Sequence, residues 1–150
     1  MKYTQQELNE ILAKHKNWLN GVNGGEQANL SYADLRYANL SYADLRYANF
    51  SSANLSYANF SSADLRYIIG EMKSLRSFQL EKYMVSYTDT ILNIGCESHT
   101  IEDWKNFNDK KIKIMDRGAL EWWNKWKPII MQIIEIAPAE PTIYTIKEEE

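Results

Sequence analysis

The chain has 150 residues, 17 Lys and Arg against 20 Asp and Glu, and a formal net charge of -3. That length suits one ordinary domain or two very small ones. The charge balance excludes the polycationic footprint of a nucleic-acid binder and is too mild to argue for a phosphate-backbone mimic. A single cysteine, Cys96, excludes an internal disulfide and fits a reducing compartment.

Composition divides the chain into residues 1–23 (helical), 24–67 (a repeat), 68–100 (extended), 101–137 (helical) and 138–150 (a Pro- and Glu-rich tail). The start carries Glu7 and Glu10 and lacks the apolar core of a signal peptide. No stretch approaches the ~18 apolar residues of a membrane span. The expectation is a chain without a membrane partner. In the first segment, Thr4 followed by Glu7 reads as a capping box. Leu8, Ile11, Leu12, His15, Trp18 and Leu19 then recur near helical spacing. Gly21 ends the helix, and "NGVNGG" turns the chain into the repeat. His15 reads as a covered histidine on a capping helix in preference to a working imidazole.

Residues 28–67 have a period of five, which neither an α-helix nor a strand can hold. Large apolar residues stand at Leu30, Leu35, Leu40, Leu45, Phe50, Leu55, Phe60 and Leu65. Alanine precedes each by two positions, and the residue between is always Asn or Asp. One small and one large inward residue in every five describe a chain that turns a corner in each unit and must stack on itself. "ANLSYADLRYANLSYADLRYANF" resembles the pentapeptide-repeat family. That resemblance implies a short right-handed, four-sided parallel β-solenoid of about two coils, a mainly β class, with an N-terminal capping helix and a C-terminal hairpin plus helices. Units twenty residues apart would share a face, with Leu30 over Phe50 and Leu45 over Leu65.

Two outward faces carry Arg36 and Tyr37 over Tyr57, and Arg46 and Tyr47 over Arg66 and Tyr67. Arginine with tyrosine suits interfaces and anionic or aromatic ligands. The competing reading is a solvated face whose tyrosines stack and whose charges pair locally.

Beyond Met72 the period fails. "FQLEKYMVSY" and "TILNIG" are expected to pair as antiparallel strands about "YTDT". "GCESHTIEDW" places Cys96 and His99 three apart, and Thr100 with Asp103 reads as a second capping box. A thiol and an imidazole are a candidate nucleophile and base, yet no orienting third group is evident, and the pair is at best half a zinc site. No metal and no cofactor is expected. Ala119 to Ile136 reads as a helix apolar on more than one side, with Pro128 expected to kink or restart it. Trp122, Trp123, Trp126, Ile129, Ile130 and Ile133 are candidates for a homodimer interface, the alternative being a helix folded across its own hairpin.

"IGCESHTIEDW" followed by "ALEWWNKWKPIIMQII" resembles the rear half of pentapeptide-repeat proteins of tailed bacteriophages and prophages. That resemblance implies a bacterial host cytoplasm. The function expected is non-enzymatic binding of a host protein or of a small anionic, nucleotide-like ligand, without direct contact to nucleic acid. Three other readings stand beside it: a DNA-mimic partner of a topoisomerase, a Cys/His-dependent hydrolase or transferase, and a structural accessory of a virion.

Overall fold

The computed structural model describes residues 1–70 and 73–141. Most of the expected tail, residues 142–150, lies outside the described residues. Helix α1 spans Gln5–Leu19. Thr4 caps it by accepting the Glu7 N–H (3.2 Å), and Glu7 Oε2 accepts the Thr4 N–H in return (2.7 Å). Both halves of the expected capping box are therefore present.

The repeat then folds into a two-layered stack in which residues twenty apart lie side by side. Leu30 N–H donates to the Asn49 carbonyl (2.8 Å), and Asn49 N–H donates to Ala28 (2.9 Å). The same pair of bonds recurs at Leu35 and Asn54, Leu40 and Asn59, and Leu45 and Asp64. In each unit the second residue after the large apolar centre lies in the left-handed region, from Tyr32 (φ 56°) to Tyr67 (φ 60°). That conformation closes a turn, as where Ala38 N–H donates to the Leu35 carbonyl (3.0 Å). A left-handed non-glycine residue costs about 1–2 kcal/mol, and the Asn or Asp of each unit offsets it. Its side-chain oxygen accepts the N–H two residues on, as in Asn29 from Ser31 and Asp34 from Arg36 (both 3.2 Å). The eight large centres are 0 to 4% exposed and fill the interior with the alanines. Phe50 and Phe60 meet edge to face across it, ring centres 6.0 Å apart.

Here the expected class needs correction. The repeat contributes no strand. Its paired residues form isolated single-residue parallel bridges, because each five-residue unit turns before a ladder can extend. The chain's strands lie elsewhere, at β1 (Arg76–Leu80), β2 (Tyr83–Tyr87), β3 (Ile91–Ile94) and β4 (Glu97–Thr100). They form one antiparallel sheet in the order β1-β2-β3-β4, open at both edges, not closed or curled into a solenoid. With four helices among the described residues, the class is mixed α/β, not mainly β.

The run "FQLEKYMVSY" is not one strand. It breaks into β1 and β2 at Glu81, whose φ is 53°, and Lys82. Helices α2 (Ile101–Asn106), α3 (Asp109–Lys113) and α4 (Ala119–Ile136) follow the sheet. Pro128 sits inside α4, which neither ends nor restarts there.

Two separate cores result. The first holds Leu8, the repeat interior and Leu75. The second holds Val85, Tyr87, Leu92 and Ile94 of the sheet against Trp104, Ile112, Trp122, Trp123 and Ile130. Three polar anchors fix the helices to the sheet: Trp104 Nε1–H to the Leu92 carbonyl (2.7 Å), Trp122 Nε1–H to Leu80 (3.3 Å), and Tyr87 O–H to Ala137 (2.6 Å).

Candidate functional site

The edge of a stacked repeat is a row of open N–H and C=O groups that invites pairing. The N-terminal segment covers that edge group by group. Met1's carbonyl accepts the Asp34 N–H (2.6 Å). The Gln5 amide accepts from Asn39 N–H (3.1 Å) and donates to the Asn39 carbonyl (3.0 Å), so a side chain stands in for a peptide. His15 Nδ1 accepts the Ala28 N–H (3.0 Å). An imidazole that accepts at Nδ1 carries its proton on Nε2 and is neutral. His15 is fully buried, and that burial lowers its pKa against an opposing pull from the Arg46 backbone and Asp44. Its place is structural.

The outer surface of the repeat carries the expected arginines and tyrosines. Tyr37 stacks on Tyr57 at 4.9 Å between ring centres, and Tyr47 on Tyr67 at 5.2 Å. Trp18 of α1 meets the edge of Tyr47 at 6.3 Å. All four tyrosines are exposed, Tyr37 the most at 72%. Each sits at the left-handed position of its turn, so the backbone that carries the ring is fixed by the fold.

Every arginine of the repeat lies along its own unit's aspartate. Arg36 grips Asp34 (2.8 and 2.7 Å), Arg46 grips Asp44 (2.8 and 2.7 Å), and Arg66 Nη2 reaches Asp64 (2.6 Å). Arg46 also reaches Asp64 in the layer beside it (3.7 Å). The side-chain bond from Arg36 holds the Asp34 carboxyl at about 2, and Arg46 and Arg66 lower Asp44 and Asp64 in the same way.

This pairing follows a rule that the sequence reading missed. Units with Asn carry Ser two positions on, and units with Asp carry Arg, in all eight units. Four of the five serines donate their hydroxyl to that Asn, at 2.6 to 2.7 Å. The signal lay in the letters, two positions apart.

Cys96 is exposed at the turn between β3 and β4, after Gly95 (φ 55°). His99 lies on the helix side of the sheet, where Nε2 meets Glu97 Oε2 (2.8 Å). Its ring rests against Trp104 (5.4 Å) and Phe107 (4.9 Å). Asp103 is the helix-start residue whose N–H Thr100 accepts (2.9 Å), the one half of the second capping box that forms. Among the described residues no group of three or more His, Cys, Asp or Glu is placed to hold a metal ion.

Trp122, Trp123 and Ile130, expected at an interface between chains, are buried in the chain's own second core. They cover the sheet, and the helix needs no second chain to bury them. Trp126 and Ile133 pack partly against the same core, and Ile129 remains exposed.

The arrangement is that of a short repeat stack with a surface of fixed aromatic and paired charged side chains. Residues 27–66 match the family model of pentapeptide repeats, in eight copies, so the chain carries a pentapeptide-repeat domain. That match is to the repeat in general and, against the narrower expectation, ties the chain to no phage or prophage protein. No curated protein and no solved structure matches the chain. No helix among the described residues is long and apolar enough to cross a membrane.

Proposed function

We propose that the chain is a non-catalytic interaction protein whose contact surface is the outer face of the repeat, at Tyr37, Tyr57, Tyr47 and Tyr67, and that its target is another protein. The observation that carries this reading is the pair of exposed tyrosine stacks on left-handed turns. Tyrosine gives a large amphipathic contact at a small entropic cost. A ring already held by its neighbour and by its turn loses less freedom still on binding.

The arginines favour a protein over a small anion. Their guanidinium groups lie against aspartates of the same units, so the surface offers paired charge and no free cationic cradle. A polar rim around aromatic anchors is how protein interfaces are composed.

A photo-crosslinking residue placed at Tyr37 or Tyr67, and separately at exposed Ile114 of the other half, tests this in cells that make the protein. The expected result is a discrete adduct of one mass from the repeat positions and none from position 114. Identical adducts from both halves, or none from the repeat, would sink the reading.

A further inference from the structure

The second core is not completely filled. A cavity of about 50 Å³ lies between the β3–β4 turn, β2 and the helices. Its apolar floor is Ile94, Ile112, Met115 and Ala119. Tyr83, Trp104, Trp122 and Trp123 wall it, with Tyr83 and Trp122 edge to face at 4.9 Å and Trp104 and Trp123 tilted at 5.1 Å. Glu97, Asp116 and Cys96 complete the lining.

Size and charge narrow what could enter. At roughly 10–15 Å³ for each water-sized particle, the space takes about four non-hydrogen atoms. That is too little for a nucleobase or an indole. No Lys, Arg or His lines the cavity, whereas two carboxylates do. Two lysines sit against lining rings, Lys82 over Tyr83 (4.7 Å) and Lys127 over Trp123 (5.6 Å), without themselves lining the cavity. Both carboxylates are oriented, Glu97 by His99 (2.8 Å), and Asp116 by Tyr83 O–H and Lys82 (3.2 Å). Aromatic faces and carboxylates both attract a cation, and an alkylated ammonium is the cation least penalised by leaving water for such walls.

We propose that this cavity is a binding site for a small alkylated ammonium group, of the size of a trimethylammonium head. The thiol takes no part in holding it. The site is independent of the tyrosine surface, being built wholly from the sheet and the helices after it.

Titration of the full chain with choline and with its neutral isostere, 3,3-dimethylbutan-1-ol, tests the assignment at matched ionic strength. The signals are the indole N–H resonances. Choline should shift those of Trp104, Trp122 and Trp123 saturably and leave Trp18 in place. The isostere should bind about tenfold more weakly. The conservative variant Glu97→Gln should weaken choline and leave the isostere unchanged. Equal binding of cation and isostere would reduce the site to an apolar void, and an absence of saturable shifts with choline would overturn it altogether.

Discussion

In the repeat, one small and one large inward position used eight times over fill the interior, and each unit carries its own turn, its own Asx acceptor and its own surface pair. In the sheet and helices, no position repeats: Trp104, Trp122 and Trp123 each fill a different space, and the first two reach carbonyls of different strands. One half is modular and locally determined. The other is a jigsaw of long-range fits, and it is the half that leaves a cavity. The two cores share no buried residue, so they should fail independently.

The largest test removes one core side chain from each half. Trp104→Ala should cost about 3–5 kcal/mol and Leu40→Ala about 2–5 kcal/mol. Denaturation followed by tryptophan fluorescence reports mainly the second half, where four of the five tryptophans lie. Amide exchange over residues 28–67 reports the first. Each variant should move its own transition and spare the other. If either variant moves both equally, the halves unfold as one unit and the comparison breaks.

A smaller effect is expected where α1 meets the stack. A Cβ on Gly25 would stand 2.2 Å from the Trp18 backbone nitrogen and 2.6 Å from the Asn17 carbonyl carbon. Backbone atoms cannot yield as a flexible side chain can. Gly25→Ala should therefore cost about 1–3 kcal/mol, in the range of overpacked sites. Faster exchange across residues 5–19, with the second half unchanged, is the expected sign.

Acid tests the repeat more gently. His15 is neutral when folded and its pKa is lowered by burial, so its contribution is complete above the ordinary value of 6.5 and falls as the pH drops below it. Asp34 is held at about 2 by Arg36, so its contribution is complete above the ordinary 3.8 and is lost as pH falls through about 2. The lowered Asp44 and Asp64 act in the same direction. The repeat should weaken in two acid steps. His15→Gln, whose amide oxygen can accept the Ala28 N–H, should remove the first and keep the second. Repeat-specific exchange measured across both windows checks this, and a first step that survives in His15→Gln would refute the assignment.

What could be read in the letters follows the same division. The period, the inward Ala and Leu or Phe, the Thr4–Glu7 box and the extent of α4 are local patterns, and they emerged. The sheet hid better. Glu81 takes a positive φ with no glycine to signal the turn, so two strands read as one. "ESHT" has no apolar alternation, because β4 is an edge strand whose Glu97 and His99 bond to each other. The faces of α4 were ambiguous, since only the fold decides whether Trp122 and Trp123 meet a sheet or another chain. Local turns that close within five residues likewise gave a stack of isolated bridges in place of the parallel β-solenoid that the resemblance implied.

The smallest predicted effect bears most directly on modularity. Asp34→Asn removes the carboxylate that takes two donors from Arg36, while the new amide oxygen can still accept the Arg36 N–H. For a surface pair the loss should be about 0.2–1 kcal/mol. Adding Arg36→Ser converts the unit to the Asn-then-Ser type already present in five others, and stability should return to within error of the parent. The denaturation midpoint, followed through repeat amides, distinguishes the variants. No such neighbouring exchange exists for Asp116, which joins Lys82 and Tyr83 to a segment more than thirty residues away. Asp116→Asn should stay weakened whatever is placed beside it. Recovery in the first case without recovery in the second is what a modular half and a jigsaw half require. If the double variant, Asp34→Asn with Arg36→Ser, stays as weak as Asp34→Asn alone, the repeat is less modular than its letters.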